Sequence, residues 1–292
     1  MHYTGPVYRH PLEANTLLLQ VTSGCSHNKC TFCTMYKDVP FKVDSLEQIE
    51  SDLIEARQNF RHLNRIFLEN ADPFVLSAEK LKRIGKLIVK YFPEMETIST
   101  YASISNLKNK SVEDLRELKE LRFNDLYVGV ESGYDDALRF MNKGYSAKDA
   151  YEQLKKLNVV GIDFMALLIL GVGGKGSSTI NTIETAKLMN ATNPKMISVI
   201  PISIFPGSKL EEKYKAGEFV LPTELEVIEE EKVLIELLDV KNSYFYGLHS
   251  NNLVRVSGML PNDKEKMLEI IDESMLLLDD EELNSKIYRI GL

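Results

Sequence analysis

Short apolar, β-branched runs alternate with longer stretches of helical period along most of the chain. The runs fall near 16–22 (TLLLQVT), 65–69 (RIFLE), 97–101 (TISTY), 126–131 (LYVGVE), 162–170 (IDFMALLIL) and 195–204 (KMISVIPISI). Each has the length of a strand, and near-continuous apolar character suits a sheet covered on both faces. Helical patterns at 45–60, 77–90, 111–121, 134–141, 146–158 and 177–191 lie between them. Ser111 followed by Glu113 and Asp114, and Ser146 opening AKDAYEQLKKL, read as helix N-caps with acids in the first turn. Such alternation predicts an α/β fold of parallel β-α units with right-handed crossovers, its chemistry at the carboxyl ends of the strands. From about 205 the pattern changes to two long helical stretches, 222–240 and 262–279, separated by SYFYGLHSNN. The expectation is a core over 1–215 and a helical C-terminal extension over 216–292 packed on it, not an independent domain.

Composition narrows the function classes. With 44% hydrophobic and 27% charged residues, the 292-residue chain can bury a large core. A net charge of −8 argues against a protein held to nucleic acid through its phosphates. No stretch approaches the roughly 18 consecutive apolar residues of a membrane helix, so no membrane partner is expected. The opening MHYTGPVYRHPLEANTLLLQ lacks the zones of a signal peptide, and the default is a cytoplasmic protein. Disulfides are not expected there, because reducing compartments keep thiols free.

All three cysteines, Cys25, Cys30 and Cys33, lie in GCSHNKCTFC directly after the first strand. The spacing is C-x4-C-x2-C, and four readings compete. Structural zinc would need a fourth ligand, His27 or a distant histidine. A plant-type ferredoxin site opens with the same spacing but requires a fourth cysteine, which the chain lacks. A redox dithiol at Cys30 and Cys33 leaves Cys25 unexplained. A 4Fe–4S cluster held at three irons, with the fourth open to a ligand that is not protein, is the reading that uses three thiols. Zinc stays as the alternative, in which the chain is a zinc-stabilised α/β binding protein without radical chemistry.

The loop, with aromatic Phe32 before the last cysteine, resembles that of the radical S-adenosylmethionine (radical SAM) superfamily. One departure is the extra residue between Cys25 and Cys30, since the common spacing is C-x3-C-x2-C. Further matches follow in order. LENADPF after the second strand stands where the superfamily has a GGE-like element that holds the methionine amino group, with Asp72 as the carboxylate and the glycines missing. GVESG places Glu131 and Ser132 where the superfamily contacts ribose. RFMNKG resembles segments that deliver a basic side chain, Arg139 or Lys143, to the methionine carboxylate. LLILGVGG resembles the element along the adenine, with Gly171 central, and ISIFPGSKL resembles the P-G-S/T-x-L turn of these barrels. More narrowly, the chain resembles small, single-cluster, cobalamin-free bacterial members with a late HSN segment.

The resemblance implies a partial (β/α)6 TIM-like barrel and one 4Fe–4S cluster on Cys25, Cys30 and Cys33. It also implies SAM as cofactor and a 5′-deoxyadenosyl radical that abstracts hydrogen from a small-molecule substrate. It implies a flavodoxin or ferredoxin as electron donor, and Phe32 packed beside cluster and adenine. Tyr36, Tyr101, His249 and Asn251 are candidates for lining the substrate cavity. No thiol is left over for a second cluster or a methyl carrier.

Structural readings stand beside these. Asp72 before Pro73 would cap the following helix or start a turn. Glu131 would be satisfied by an ion pair to Arg139. GVGGKGSS has Ser177 where a phosphate loop needs lysine, and reads as a turn. His249 to Asn252 would form a turn cluster. The acidic residues of 222–240 and the cations Lys108, Lys110, Arg116, Lys119 and Arg122 read as solvated helix faces.

Overall fold

In the computed structural model, which describes residues 1–285 and 287, the chain is α/β with a mostly parallel sheet. It packs as two compact units. One comprises Met1–Asn28, Met35–Gly129 and Gln153–Phe164; the other comprises Lys29–Thr34, Val130–Glu152 and the chain from Met165 on.

The first unit is built from β1 (Leu17–Gln20), β2 (Thr22–Ser23), β3 (Lys42–Val43), α1 (Leu46–Asn59), β4 (Arg65–Glu69) and α2 (Ala78–Tyr91). β5 (Thr97–Ser103), α3 (Ile104–Lys108), α4 (Val112–Glu120) and most of β6 (Phe123–Glu131) follow. β1, β4, β5 and β6 are parallel neighbours in that order, with Leu19 opposite Leu68, Leu68 opposite Thr100 and Tyr101 opposite Tyr127. β2 and β3 pair antiparallel, Thr22 with Val43, and so close the base of the loop that opens with Gly24. Ser45, Ser77 and Ser111 cap α1, α2 and α4, the last in a full capping box with Asp114.

The amino ends of these strands carry a buried charge cluster. Arg65 donates to Glu13 and, at 2.6 Å, to Asp125, while Tyr127 donates to Glu13 at 2.9 Å. Glu13 is fully buried, so its carboxylate depends on Arg65. Arg65→Met is expected to lower the unfolding free energy by roughly 3 kcal/mol, because it strands buried carboxylates. Urea denaturation measures the loss.

The second unit contains α5 (Asp135–Phe140), the start of α6 (Ala147–Val160), most of β7 (Asp163–Leu170), α7 (Ser178–Thr192), β8 (Met196–Pro201) and α8 (Lys209–Lys215). Ser146, just ahead of α6, is bonded reciprocally with Asp149, as its sequence context predicts. Beyond these elements lie α9 (Glu224–Leu237), β9 (Ser243–Tyr246), β10 (Ser257–Leu260), α10 (Lys264–Leu277) and α11 (Asp280–Asn284). β7, β8 and β9 are parallel, and β10 pairs antiparallel with β9. The extension therefore supplies two strands besides its helices. SYFY is a four-residue strand whose aromatic side chains suit a pleated surface. The end of the extension, 288–292, lies outside the described residues. No helix of the described residues is long and apolar enough to cross a membrane.

Candidate functional site

The cysteine loop leaves β2 through Gly24, whose φ is 69°. A Cβ there would lie 2.5 Å from the Val39 carbonyl oxygen and 2.9 Å from that of Pro40, so only glycine fits this turn. Cys25 follows, half-buried, and accepts the Asn28 N–H at 3.3 Å. Asn28 adopts a left-handed φ of 43° and donates its side chain to the Tyr36 carbonyl at 3.1 Å. Asparagine tolerates that conformation, which gives the loop's extra residue a place. Tyr36 is buried edge-on against Tyr8, and burial pushes its hydroxyl well above the ordinary phenol range.

Beyond β4 the chain runs Glu69, Asn70, Ala71, Asp72. Asn70 has φ 86°, so an asparagine holds a conformation that glycine favours, in the element where the expected glycines are missing. Its amide donates to Glu69 Oε1 at 2.7 Å, and both residues are fully buried. Glu69 Oε2 and Asn70 Oδ1 have no hydrogen-bond partner. Burial pushes the Glu69 carboxyl up to about 7, against the Asn70 bond. Two buried acceptors side by side in sequence suit a multivalent N–H donor such as an ammonium. Asp72 accepts from Asn106. It opens the 3-10 turn Pro73–Val75 without a side-chain capping bond, and Ser77 caps α2 instead, so the capping role does not fall to Asp72. Tyr101, half-buried on β5, packs edge-on against Phe67 and Tyr127.

In the second unit the loop's other half is strapped down. The Thr31 N–H donates to the Met141 carbonyl (3.0 Å), its hydroxyl to that of Phe140 (2.7 Å), and Asn142 to that of Lys29 (2.9 Å). The Leu210 N–H bonds the Thr31 carbonyl at 2.9 Å and Thr34 reaches the Pro206 carbonyl at 3.3 Å. The RFMNKG and PGSKL segments thus fix Cys30, Phe32 and Cys33. Glu131 sits at φ 61° in a three-residue turn closed by the Ser132 N–H to the Val130 carbonyl, 2.7 Å. It pairs with Lys143 at 2.9 Å, and Lys143 lies 5.9 Å from the Phe32 ring centroid. Burial pulls the Lys143 ammonium down, but Glu131, then Tyr145 and Cys30, override it and hold the group well above its ordinary value. Tyr145, which sequence reasoning missed, donates to the Val130 carbonyl at 2.9 Å; its only signal was its place two residues after Lys143. Arg139 is exposed and pairs with Asp136 on α5, so the ion pair of Glu131 forms with Lys143 and not with Arg139.

Ser132 is fully buried and donates to Asn181 at 2.6 Å. Asn181 donates to Glu230 at 2.8 Å, and the Gly171 N–H meets the other Glu230 oxygen at 2.9 Å. Ser132 and Gly171 are therefore tied to one buried carboxyl on α9, beside a cleft lined by Glu131, Asn181, Thr182, Thr185 and Glu230. The acidic face of α9 is not wholly solvated, since Glu230 and Glu231 are buried. Burial pushes their carboxyls up to about 7 and about 8. Above pH 4.5 an unfolded Glu231 releases its proton while the folded one keeps it, so stability falls as pH rises toward 8. Glu231→Gln is expected to flatten this slope, removing a loss on the order of a few kcal/mol at pH 8. Urea midpoints at pH 5 and pH 8 check it.

His249 accepts the Asn251 N–H at Nδ1, and burial, with Arg255 adding, lowers its pKa. Asn252 closes the turn onto the His249 carbonyl and donates to the carbonyls of Val199 and Gly247, which ties the turn to β8. Asn251 reaches the Ser203 hydroxyl at 3.4 Å.

Among the described residues no group of three or more His, Cys, Asp or Glu side chains is set to hold a metal ion; the cysteines are three half-buried thiols on one short loop, none of them in a disulfide. As a donor set they suit an iron–sulfur cluster, since thiolates are its ligands and Cys25 Sγ already accepts a backbone N–H.

The family model of the Radical SAM superfamily matches residues 19–189. An uncharacterized protein of Methanocaldococcus jannaschii is 27% identical over 208 residues, 67% of this chain and 63% of that protein. The heme chaperone HemW of Bacillus subtilis is 24% identical over 232 residues, 77% of this chain and 60% of that one. The chain thus spans less than two thirds of the length of either relative. The structure of coproporphyrinogen III oxidase (HemN) from Escherichia coli, described as a radical SAM enzyme, superposes with a TM-score of 0.51. That match has 20% identity and covers 64% of this chain and 44% of that one, a likeness of fold. With more than half of its length matched by the family model, this chain belongs to the Radical SAM superfamily, an enzyme superfamily.

Proposed function

We propose that this chain holds one 4Fe–4S cluster through Cys25, Cys30 and Cys33 and uses SAM to abstract hydrogen from a small-molecule substrate. The observation that carries the proposal is the thiol set: three cysteines on one strapped loop, none in a disulfide, and no fourth in the chain. A bound cluster would supply the electron for reductive cleavage of SAM, the chemistry from which hydrogen abstraction would follow.

The protein's part is to bind, orient and exclude water. In the first unit, Asp72 accepts from the methionine ammonium, with the unpartnered oxygens of Glu69 and Asn70 as further acceptors. In the second, Lys143 meets the methionine carboxylate and Phe32 packs beside the adenine. Glu131 accepts from the ribose hydroxyls, held by its strained turn, and Ser132 fixes that turn through Asn181. Gly171 lies along the adenine. Arg139, exposed and paired on its own helix, has no part in it. Tyr36 and Tyr101 in the first unit, and His249 and Asn251 in the second, are the side chains we assign to substrate contact. A flavodoxin or ferredoxin delivers the electron in a cytoplasmic setting.

Anaerobic reconstitution with iron and sulfide is expected to give about four iron and as much labile sulfide per chain. A bound zinc ion with no acid-labile sulfide would overturn the reading. Gly24→Ala is expected to reduce the iron content severalfold, because its Cβ forces the loop off the Val39 and Pro40 carbonyls. The same assay reads it.

A further inference from the structure

Asp72 enters its turn with φ −164° and ψ 76° and makes no capping bond, so something else must set the direction of its carboxylate. Asn106 does so by donating its side-chain amide to Asp72 Oδ2. The amide is itself carried on a fixed point: the Asn106 N–H bonds the Ser103 hydroxyl at 3.2 Å, where β5 passes into α3.

The turn that carries Asp72 is braced from the same segment. Lys110 is 2% exposed, against the expectation of a solvated cation. Its ammonium donates to the carbonyls of Phe74 (2.6 Å) and Leu76 (3.0 Å), reaches that of Asn106 (3.5 Å), and lies 4.5 Å from the Phe74 ring centroid. A lysine is rarely buried without paired charge, and here three carbonyls and a ring face take its place. Burial pulls its pKa down to about 8, with Asp72 and Asp114 opposing and Lys156 adding to the fall. Lys156 in turn donates to the carbonyls of Leu107 (3.1 Å) and Lys110 (2.7 Å), which anchors the segment to α6.

We propose that Asn106 and Lys110 are positioning residues for Asp72: Asn106 fixes the rotation of the carboxylate, and Lys110 fixes the turn on which it stands. The proposal rests on Asp72 being the carboxylate that takes the SAM ammonium. On this proposal each acts only through Asp72, and a double-mutant cycle isolates that dependence.

The experiment is equilibrium dialysis of SAM against the reconstituted full chain, for Asp72→Ala, Asn106→Ala and the double variant. Asp72→Ala and Asn106→Ala are each expected to weaken SAM binding about tenfold, the effect of losing a charge-assisted hydrogen bond. The double variant is expected to bind no worse than Asp72→Ala alone, with iron and sulfide content unchanged in all three. Lys110→Met is expected to behave as Asn106→Ala does; thermal unfolding checks that it folds, and Asn106→Ala carries the test where it does not. Unchanged affinity in Asn106→Ala, or effects that simply add in the double variant, would overturn the positioning role while leaving Asp72 in place. Unchanged affinity in Asp72→Ala would overturn the assignment of Asp72 itself, and the positioning role with it.

Discussion

Cys30→Ala is expected to reduce 5′-deoxyadenosine formation to background and to leave protein that retains little iron after reconstitution. Thiolates are the cluster's proposed protein ligands, and the chain has no further cysteine to replace the one removed. The backbone on either side of Cys30 is held by its neighbours: Thr31 bonds the Met141 and Phe140 carbonyls, and Asn142 bonds that of Lys29. The variant should therefore fold, and urea denaturation of the metal-free protein should match the unaltered chain. Retained cleavage in Cys30→Ala would remove Cys30 from the ligand set.

Lys143→Met is expected to have two separable effects. The Lys143 and Glu131 side chains are 11% and 12% exposed, so removing the cation leaves a carboxylate stranded in a strained turn. Breaking such a pair costs about 3–5 kcal/mol. It also removes the cation proposed to meet the SAM carboxylate, and SAM affinity is expected to fall about a hundredfold, the cost of deserting a desolvated charge. The double variant Glu131→Gln, Lys143→Met, read against Glu131→Gln alone, distinguishes the two, because it leaves no unpaired charge. Stability should recover while SAM affinity stays low. Recovery of both would make Lys143 a structural partner of Glu131 alone.

Much of the fold was legible because parallel strands buried on both faces read as continuous apolar runs, as DFMALLIL does in β7. The cysteine loop was legible because three thiols in nine positions have few chemical uses. What sequence could not reveal was which partners meet. Sequence offered Arg139 as the ion-pair partner of Glu131, but the chain pairs it with Lys143 through two left-handed residues, Asn142 at φ 55° and Gly144 at φ 76°. They reverse the chain after α5, bringing Lys143 to Glu131 and leaving Arg139 on an exposed helical face. Lys110 looked like one more surface cation among five, and its burial follows from the turn after β4, more than thirty residues upstream. Glu230 and Glu231 likewise belong to an acidic helix whose inward face only packing could identify. Asn70 shows the converse: where the expected glycines are missing, an asparagine takes a positive φ of the kind glycine favours.

The most direct measurement is anaerobic incubation of the reconstituted chain with dithionite and SAM, followed by quantitation of 5′-deoxyadenosine. Formation of 5′-deoxyadenosine that depends on the cluster and on Cys25, Cys30 and Cys33 is the predicted result. A protein that binds a full cluster and SAM yet yields no 5′-deoxyadenosine, or that carries zinc in its place, would contradict it.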